Sequence, residues 1–349
     1  MLKTGSLVTL LLLGLISYQA YAERVSFRPY VIDIPTTPED NQFLEYISQF
    51  SKSYTSTSEF NLRKEIFKRN LRLINMYKSS NYKMGLNFFA DFTPGEIFAR
   101  LKYADHKTQA KSDTEDQPKL EKPLDIPQSV NWVQLGAVSA VKDQGQCGAN
   151  WAYAAASAIE SAYYVMYRDK LTELSAQQLI DCVPQTAGNG CGTVQSIDDV
   201  VSYLKLNDME KESDYQTQAK SGDACNYDKN KRAVKIYQPP LYPTANSQSA
   251  LMKAIVEGPV LAEINADIPF IFYQSGIIDA DDCTTSHIHP VLVVGYGVEG
   301  NITYYLVKNS WGQTWGEKGY ARIAAKGDGP GVCGIQNRLT FFIADNSDS

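Results

Sequence analysis

Gln144-Gly145-Gln146-Cys147-Gly148-Ala149-Asn150-Trp151-Ala152-Tyr153 is the stretch on which the reading of this chain turns. Its two glycines mark a tight loop, and the run that follows, Trp151 to Arg168, carries Ala, Ile, Tyr, Val and Met around most of a helix's circumference. A helix that is apolar on all sides is buried, so this one is expected to be the spine of a lobe. Residues 143–150 then stand at its N-terminus. Asn150 suits that place, because an Asn oxygen can accept from the free N–H groups of a helix's first turn.

Outward from this loop, the texture changes past Ala233 to short strand-like runs bounded by glycine: Val291 to Gly297, Ile302 to Lys308 and Gly319 to Ile323. They predict a second lobe built on an antiparallel sheet. His289 and Asn309 lie at the ends of two of these runs. Upstream, Glu59-x3-Arg63-x2-Ile66-Phe67-x2-Asn70-x3-Ile74 places its side chains along one helical face, with Glu59 and Arg63 at ion-pairing spacing. Gly85-x-Asn87-x-Phe89-x-Asp91 alternates with period two, as a strand does. Residues 104–124 lack apolar periodicity and predict an exposed linker of the kind that processing proteases cut.

Of the 349 residues, 44% are hydrophobic and 21% charged, a globular composition with length for a two-lobed core. The net charge of −6 and the lack of a long basic run exclude nucleic acid and an anionic membrane surface as the main partner. Lys3, the apolar Leu10 to Ile16 and Ala20-Tyr21-Ala22 have the form of a cleavable secretory signal over residues 1–22. That route is oxidising, so the cysteines at 147, 182, 191, 225, 283 and 333 read as disulfides whose pairing the sequence alone leaves open.

Together these segments resemble the papain and cathepsin L family of cysteine peptidases, whose local signature is Cys-Gly-[Ser/Ala]-Cys-[Trp/Tyr]. Cys147-Gly148-Ala149 and Trp151 fit it, while Asn150 stands where the resemblance puts the nucleophilic cysteine. The upstream helix resembles the ERFNIN element of the family's prosegments, with its last Asn replaced by Lys78. Gly85, Asn87, Phe89 and Asp91 resemble the G-x-N-x-F-x-D element that follows it. The resemblance implies an α+β, two-lobe fold, with a helical lobe and an antiparallel, barrel-like lobe, preceded by a helical inhibitory prosegment. The expected divisions are a signal at 1–22, prosegment and linker at 23–124, and a peptidase-like domain at 125–349.

The resemblance also implies roles. His289 would be the imidazole partner, Asn309 the group that orients it, Trp311 its shield, and Gln144 an oxyanion donor beside the backbone N–H of residue 150. It selects the pairs Cys147–Cys191, Cys182–Cys225 and Cys283–Cys333, leaving no free thiol. Two further departures fall on the cleft. Thr193 and Val194 replace family glycines and crowd a bound backbone. Glu263 and Arg338 bring opposite charges to a side-chain pocket that usually takes apolar groups.

The expectation is a prosegment-bearing, secreted or lysosome-like peptidase homologue. An Asn carboxamide neither ionises nor attacks a carbonyl usefully, so it would bind peptides or proteins without hydrolysing them. It needs no cofactor, has its own prosegment as a partner, and is a monomer. Two readings compete with it: an active cysteine endopeptidase, which needs Asn150 to be an error or an altered residue, and metal binding through His287-x-His289. Asn301, in the only N-x-[Ser/Thr] sequon, is a glycosylation candidate on an expected loop.

Overall fold

Two hydrophobic cores lie on the two faces of shared strands, and a third belongs to the N-terminal helices. The computed structural model describes residues 37–101, 125–168, 170–183, 190–191, 197–220, 224–236, 239–280, 283 and 288–344. The chain divides into a unit ending at Gln42 and a second running from Phe43 to Ser349. The described part of the first is the opening turn of helix α1 (Pro38–Gln49), where Thr37 and Asp40 cap each other's backbone N–H.

In the second unit, Ser56 caps helix α2 (Thr57–Met76), whose three-and-four spacing buries Ile66, Phe67, Asn70, Leu71 and Ile74. Arg63 pairs in fork fashion with Glu96, at 2.7 and 2.8 Å, while Glu59 stands 4.0 Å away and accepts from Thr55 instead. The period-two reading of Gly85 to Asp91 needs correcting. The strand here is β1 (Tyr82–Met84), and the motif itself is a turn. Asn87 Oδ1 accepts from Phe89 N–H, and the Asn87 and Phe89 carbonyls accept from Ala90 and Phe92. An Asn that satisfies its neighbours' backbone in this way competes with a ladder. Helix α3 (Pro94–Arg100) begins in a capping box between Thr93 and Glu96.

The first lobe follows β2 (Val130–Asn131). Its spine is helix α4 (Asn150–Tyr167), buried without a break from Asn150 to Ser161 and packed against α5 (Ala176–Cys182) and α6 (Ile197–Leu204). A small ladder, β3 (Met209–Glu210) with β4 (Arg232–Val234), closes it. The second lobe contains α7 (Gln248–Glu257), β5 (Val260–Asn265), α8 (Ile268–Ile271), β6 (Tyr273–Ile278), β7 (Ile288–Glu299), β8 (Ile302–Lys308), β9 (Tyr320–Ala324) and β10 (Arg338–Thr340). Its sheet runs β1-β6-β9-β8-β7-β5-β10, with β2 added on β7. The expected antiparallel, barrel-like lobe is thus an open sheet with one parallel pairing. β6 and β9 pair in parallel, so β6 runs in the same direction as β7, from which β9 and β8 separate it.

Strand β7 explains its own composition. Val291 and Val293 belong to the core of the sheet lobe, and Ile288, Leu292 and Val294 to the core of the helical lobe. Both faces are covered, so its residues read as a continuous apolar run. Disulfides join Cys147 to Cys191, Cys182 to Cys225 and Cys283 to Cys333. Among the described residues, no helix is long and apolar enough to cross a membrane.

Candidate active site

The seam between the lobes brings Asn150, His289 and Asn309 into one hydrogen-bonded row. Asn309 fixes the direction. Its Oδ1 accepts from the Ser310 backbone N–H at 2.8 Å and lies 2.7 Å from His289 Nε2, so Nε2 must carry the ring proton and donate it. The other ring nitrogen, Nδ1, then offers a lone pair, and Asn150 Nδ2 stands 2.9 Å from it as donor. Asn150 Oδ1 is occupied by the Trp151 N–H at 2.8 Å, which turns the amide nitrogen towards the ring. Asn150 is the first helical residue, after an Ala149 cap with no side-chain bond, so its oxygen answers a free N–H of the first turn.

The three side chains are almost completely buried, His289 and Asn150 at 0% exposure. Burial pushes His289 down to about 4, and the bond to Asn309 opposes that shift only in part. The amide of Asn150 works in the same direction as burial, because an N–H donor facing Nδ1 suits the neutral ring and would repel a second ring proton. A thiolate at this position would do the opposite. Trp311 lies tilted against the imidazole with ring centroids 4.6 Å apart.

Gln144 Oε1 accepts from Ser310 Oγ at 2.6 Å, and Gln144 N–H donates to the Ser310 carbonyl, so the loop of the first lobe is tied to the segment that carries Asn309. Its Nε2 donates to the Cys147 carbonyl at 2.9 Å and to the Arg100 carbonyl at 3.3 Å. Arg100 ends α3, so the chain ahead of the two lobes lies against the candidate oxyanion donor. Gly148 permits this crowding: a Cβ there would stand 2.7 Å from the Cys191 carbonyl oxygen and 3.2 Å from that of Ala99. Phe89 meets Trp311 edge to face at 4.8 Å, and Asn87 Nδ2 donates to the Ile271 carbonyl at 2.7 Å. The sequence marked Asn87 and Phe89 as a motif but gave no sign of Arg100. A basic residue closing a short helix does not reveal where its carbonyl goes.

Glu263 and Arg338 face each other across β5 and β10, 3.4 Å apart, with side chains 10% and 22% exposed. Thr193, Val194 and His287 lie outside the described residues, as do the signal segment and the linker. Asn301 is exposed in the turn between β7 and β8. Among the described residues, no cluster of three His, Cys, Asp or Glu side chains is placed to hold a metal. Both His289 nitrogens are already engaged, which leaves no lone pair for an ion. All six cysteines are paired, so the site has no thiol to draw on.

Residues 126–343 match the papain family cysteine protease domain. The chain belongs to the papain family. Its prosegment matches the cathepsin propeptide inhibitor domain (I29) over residues 43–97. Cysteine protease XCP2 of Arabidopsis thaliana is 36% identical, over 86% of this chain and 85% of that protein. The viral cathepsin of Bombyx mori nuclear polyhedrosis virus is 33% identical, over 86% and 90%. Among solved structures, digestive procathepsin L 3 of Tenebrio molitor larval midgut superposes with a TM-score of 0.76 at 30% identity, over 88% of this chain and all of that one. This papain-family chain therefore shares the cathepsin type of fold with its propeptide, and the relatives named here are proteases or cathepsins.

Proposed function

We propose that this papain-family chain binds peptide or protein segments in its cleft without hydrolysing them, and that it travels the secretory route, to the cell exterior or a lysosome-like compartment, as a prosegment-bearing precursor. The observation that carries the reading is the donor at Asn150 facing the lone pair of His289. Papain-type chemistry needs an acceptor there, a thiolate whose negative charge draws the second proton onto the ring. An amide has no proton acidic enough to give up and no useful nucleophilicity, and every cysteine is committed to a disulfide. Loss of the nucleophile from a comparable triad costs about 10⁶ in turnover. In this reading the row Asn150–His289–Asn309 is a rigid cleft wall.

Two departures shape what the cleft accepts. Thr193 and Val194 bring β-branched side chains to positions where the family usually has glycine. The Glu263–Arg338 pair fills the pocket that would take the substrate side chain two residues before the scissile bond. Peptides with Phe or Leu at that position are then expected to bind weakly to the processed protein in calorimetry. Recovery should need both Glu263→Ala and Arg338→Ala, because a single change leaves one charge inside without its partner. Tight binding of a Leu peptide by the natural sequence would show that the pair does not close the pocket.

The reading is tested by treating the unreduced, processed protein with a peptidyl epoxysuccinyl electrophile and weighing the intact chain. No adduct is expected. Asn150→Cys should gain a single adduct, since Gln144, His289 and Asn309 hold their places independently of that side chain, while its peptide turnover stays well below that of an ordinary relative. An adduct on any cysteine of the natural sequence, or peptide cleavage at an ordinary rate, sinks the proposal.

A further inference from the structure

Between β7 and β8 the chain turns back in two residues. Glu299 pairs with Ile302 and Val298 with Thr303, so Gly300 and Asn301 alone make the loop. Gly300 has φ +60° and Asn301 a negative φ, the pattern of a type II′ turn with glycine at its first central position. The tip stands clear of the rest of the described chain, since a Cβ added to Gly300 would meet no heavy atom within 4 Å. Val298, Glu299, Gly300 and Asn301 are all exposed. Among the described residues, none forms a hydrogen bond with the Asn301 side chain.

An asparagine two residues ahead of a threonine, with no proline between them, is the acceptor pattern for N-linked sugar. The pattern is short and recurs by chance, so its setting decides. Here Asn301 offers a free amide at the open end of a hairpin. Thr303, the second half of the pattern, lies across the ladder from Val298, which is 44% exposed, and cross-strand partners share a face of the sheet. The hydroxyl therefore belongs to the outer face, and Thr303 itself is half-buried rather than enclosed.

We propose that Asn301 carries an N-linked oligosaccharide. The co-reactant is an oligosaccharide linked to a polyprenyl diphosphate, and the catalyst is a membrane-bound transferase of the secretory route. The bond from the first sugar's C1 to the diphosphate oxygen breaks, and a bond from C1 to Asn301 Nδ2 forms. The amide gives up one of its two protons, and polyprenyl diphosphate leaves. Strand β7 keeps the sugar away from the cleft: His289 is near its start and Glu299 at its end, and at about 3.3 Å per residue the tip stands roughly 30 Å from the imidazole. The inference rests on the secretory route of the reading above, and nothing in it depends on residue 150 or on whether the cleft hydrolyses anything.

The test is to express the full chain with its own leader in a eukaryotic secretory host, and to weigh it before and after an amidase that cleaves the bond between sugar and asparagine. The natural chain should be heavier than its polypeptide and lose that excess on treatment, with an aspartyl residue left where the sugar was. Asn301→Gln should lack the excess. Thr303→Ala should lack it too, although Asn301 is still present, while Thr303→Ser should keep it. A secreted chain that has lost its leader and has the bare polypeptide mass overturns the inference and leaves the secretory route standing. A chain retained in the cell with its leader intact overturns both. An excess that persists in Asn301→Gln and Thr303→Ala also overturns the inference, because the sugar is then elsewhere.

Discussion

At position 150 one atom type decides the chemistry. His289 takes up its proton near pH 6.5 in an unfolded chain and only near 4 in the folded one, so the unfolded state binds more protons between those values. Stability from the neutral, buried ring is complete above 6.5 and falls by about 3 kcal/mol as the pH drops through 4. The same linkage predicts the effect of replacing the donor by an acceptor. In Asn150→Asp, the carboxylate facing Nδ1 favours the imidazolium, so the His289 titration followed by NMR should move upward from its position in the natural chain. A His289 that titrates near 6.5 in the natural folded protein, or that does not respond to Asn150→Asp, would show that the amide does not set its charge.

Among the elements, the turn after β1 shows how a short motif holds two bodies together. Asp91, 2% exposed, accepts from the Tyr46 hydroxyl at 2.6 Å, the Tyr54 hydroxyl at 2.9 Å and Lys52 Nζ at 2.8 Å. Asn70 Nδ2 donates to the carbonyls of Ala90 and Phe92 on either side of it. Asp91→Ala leaves Lys52 buried without its partner, and it is expected to destabilise the N-terminal helices by about 3–5 kcal/mol. Hydrogen exchange should then rise in α1 and α2 while α4 and β7 keep their protection. Uniform exchange across the chain would place the effect elsewhere. β1 depends on a different device. Gly276 on β6 has φ +93°, and a Cβ there would overlap the Asn81 carbonyl oxygen, so the pairing of β1 with β6 needs a glycine at that point.

Across the whole molecule, the part ahead of the lobes is built into their packing: Phe89, Phe92, Ile97 and Leu101 belong to the same core as β5, β7 and β9. Local spacing was enough to place α2, α4, β7 and β8, because burial on one side, or on both, writes itself into the order of apolar residues. It misread Gly85 to Asp91 as a strand because the spacing of the motif has a strand's period of two, while the Asn87 side-chain bond that makes it a turn leaves no mark on that period. It expected an antiparallel, barrel-like sheet and did not give the parallel pairing of β6 with β9, since pairing partners are not local. The sequence by itself determined the inventory at the site: a glycine-bounded loop before a buried helix, an asparagine in the nucleophile's place, a histidine and a second asparagine at strand ends. Only the tertiary structure decided which way those groups face. Residues 150 and 289 are 139 apart in the chain and come from opposite lobes. The proton on Nε2, the lone pair on Nδ1 and the Arg100 carbonyl against Gln144 follow from hydrogen bonds that compete only once the lobes have closed.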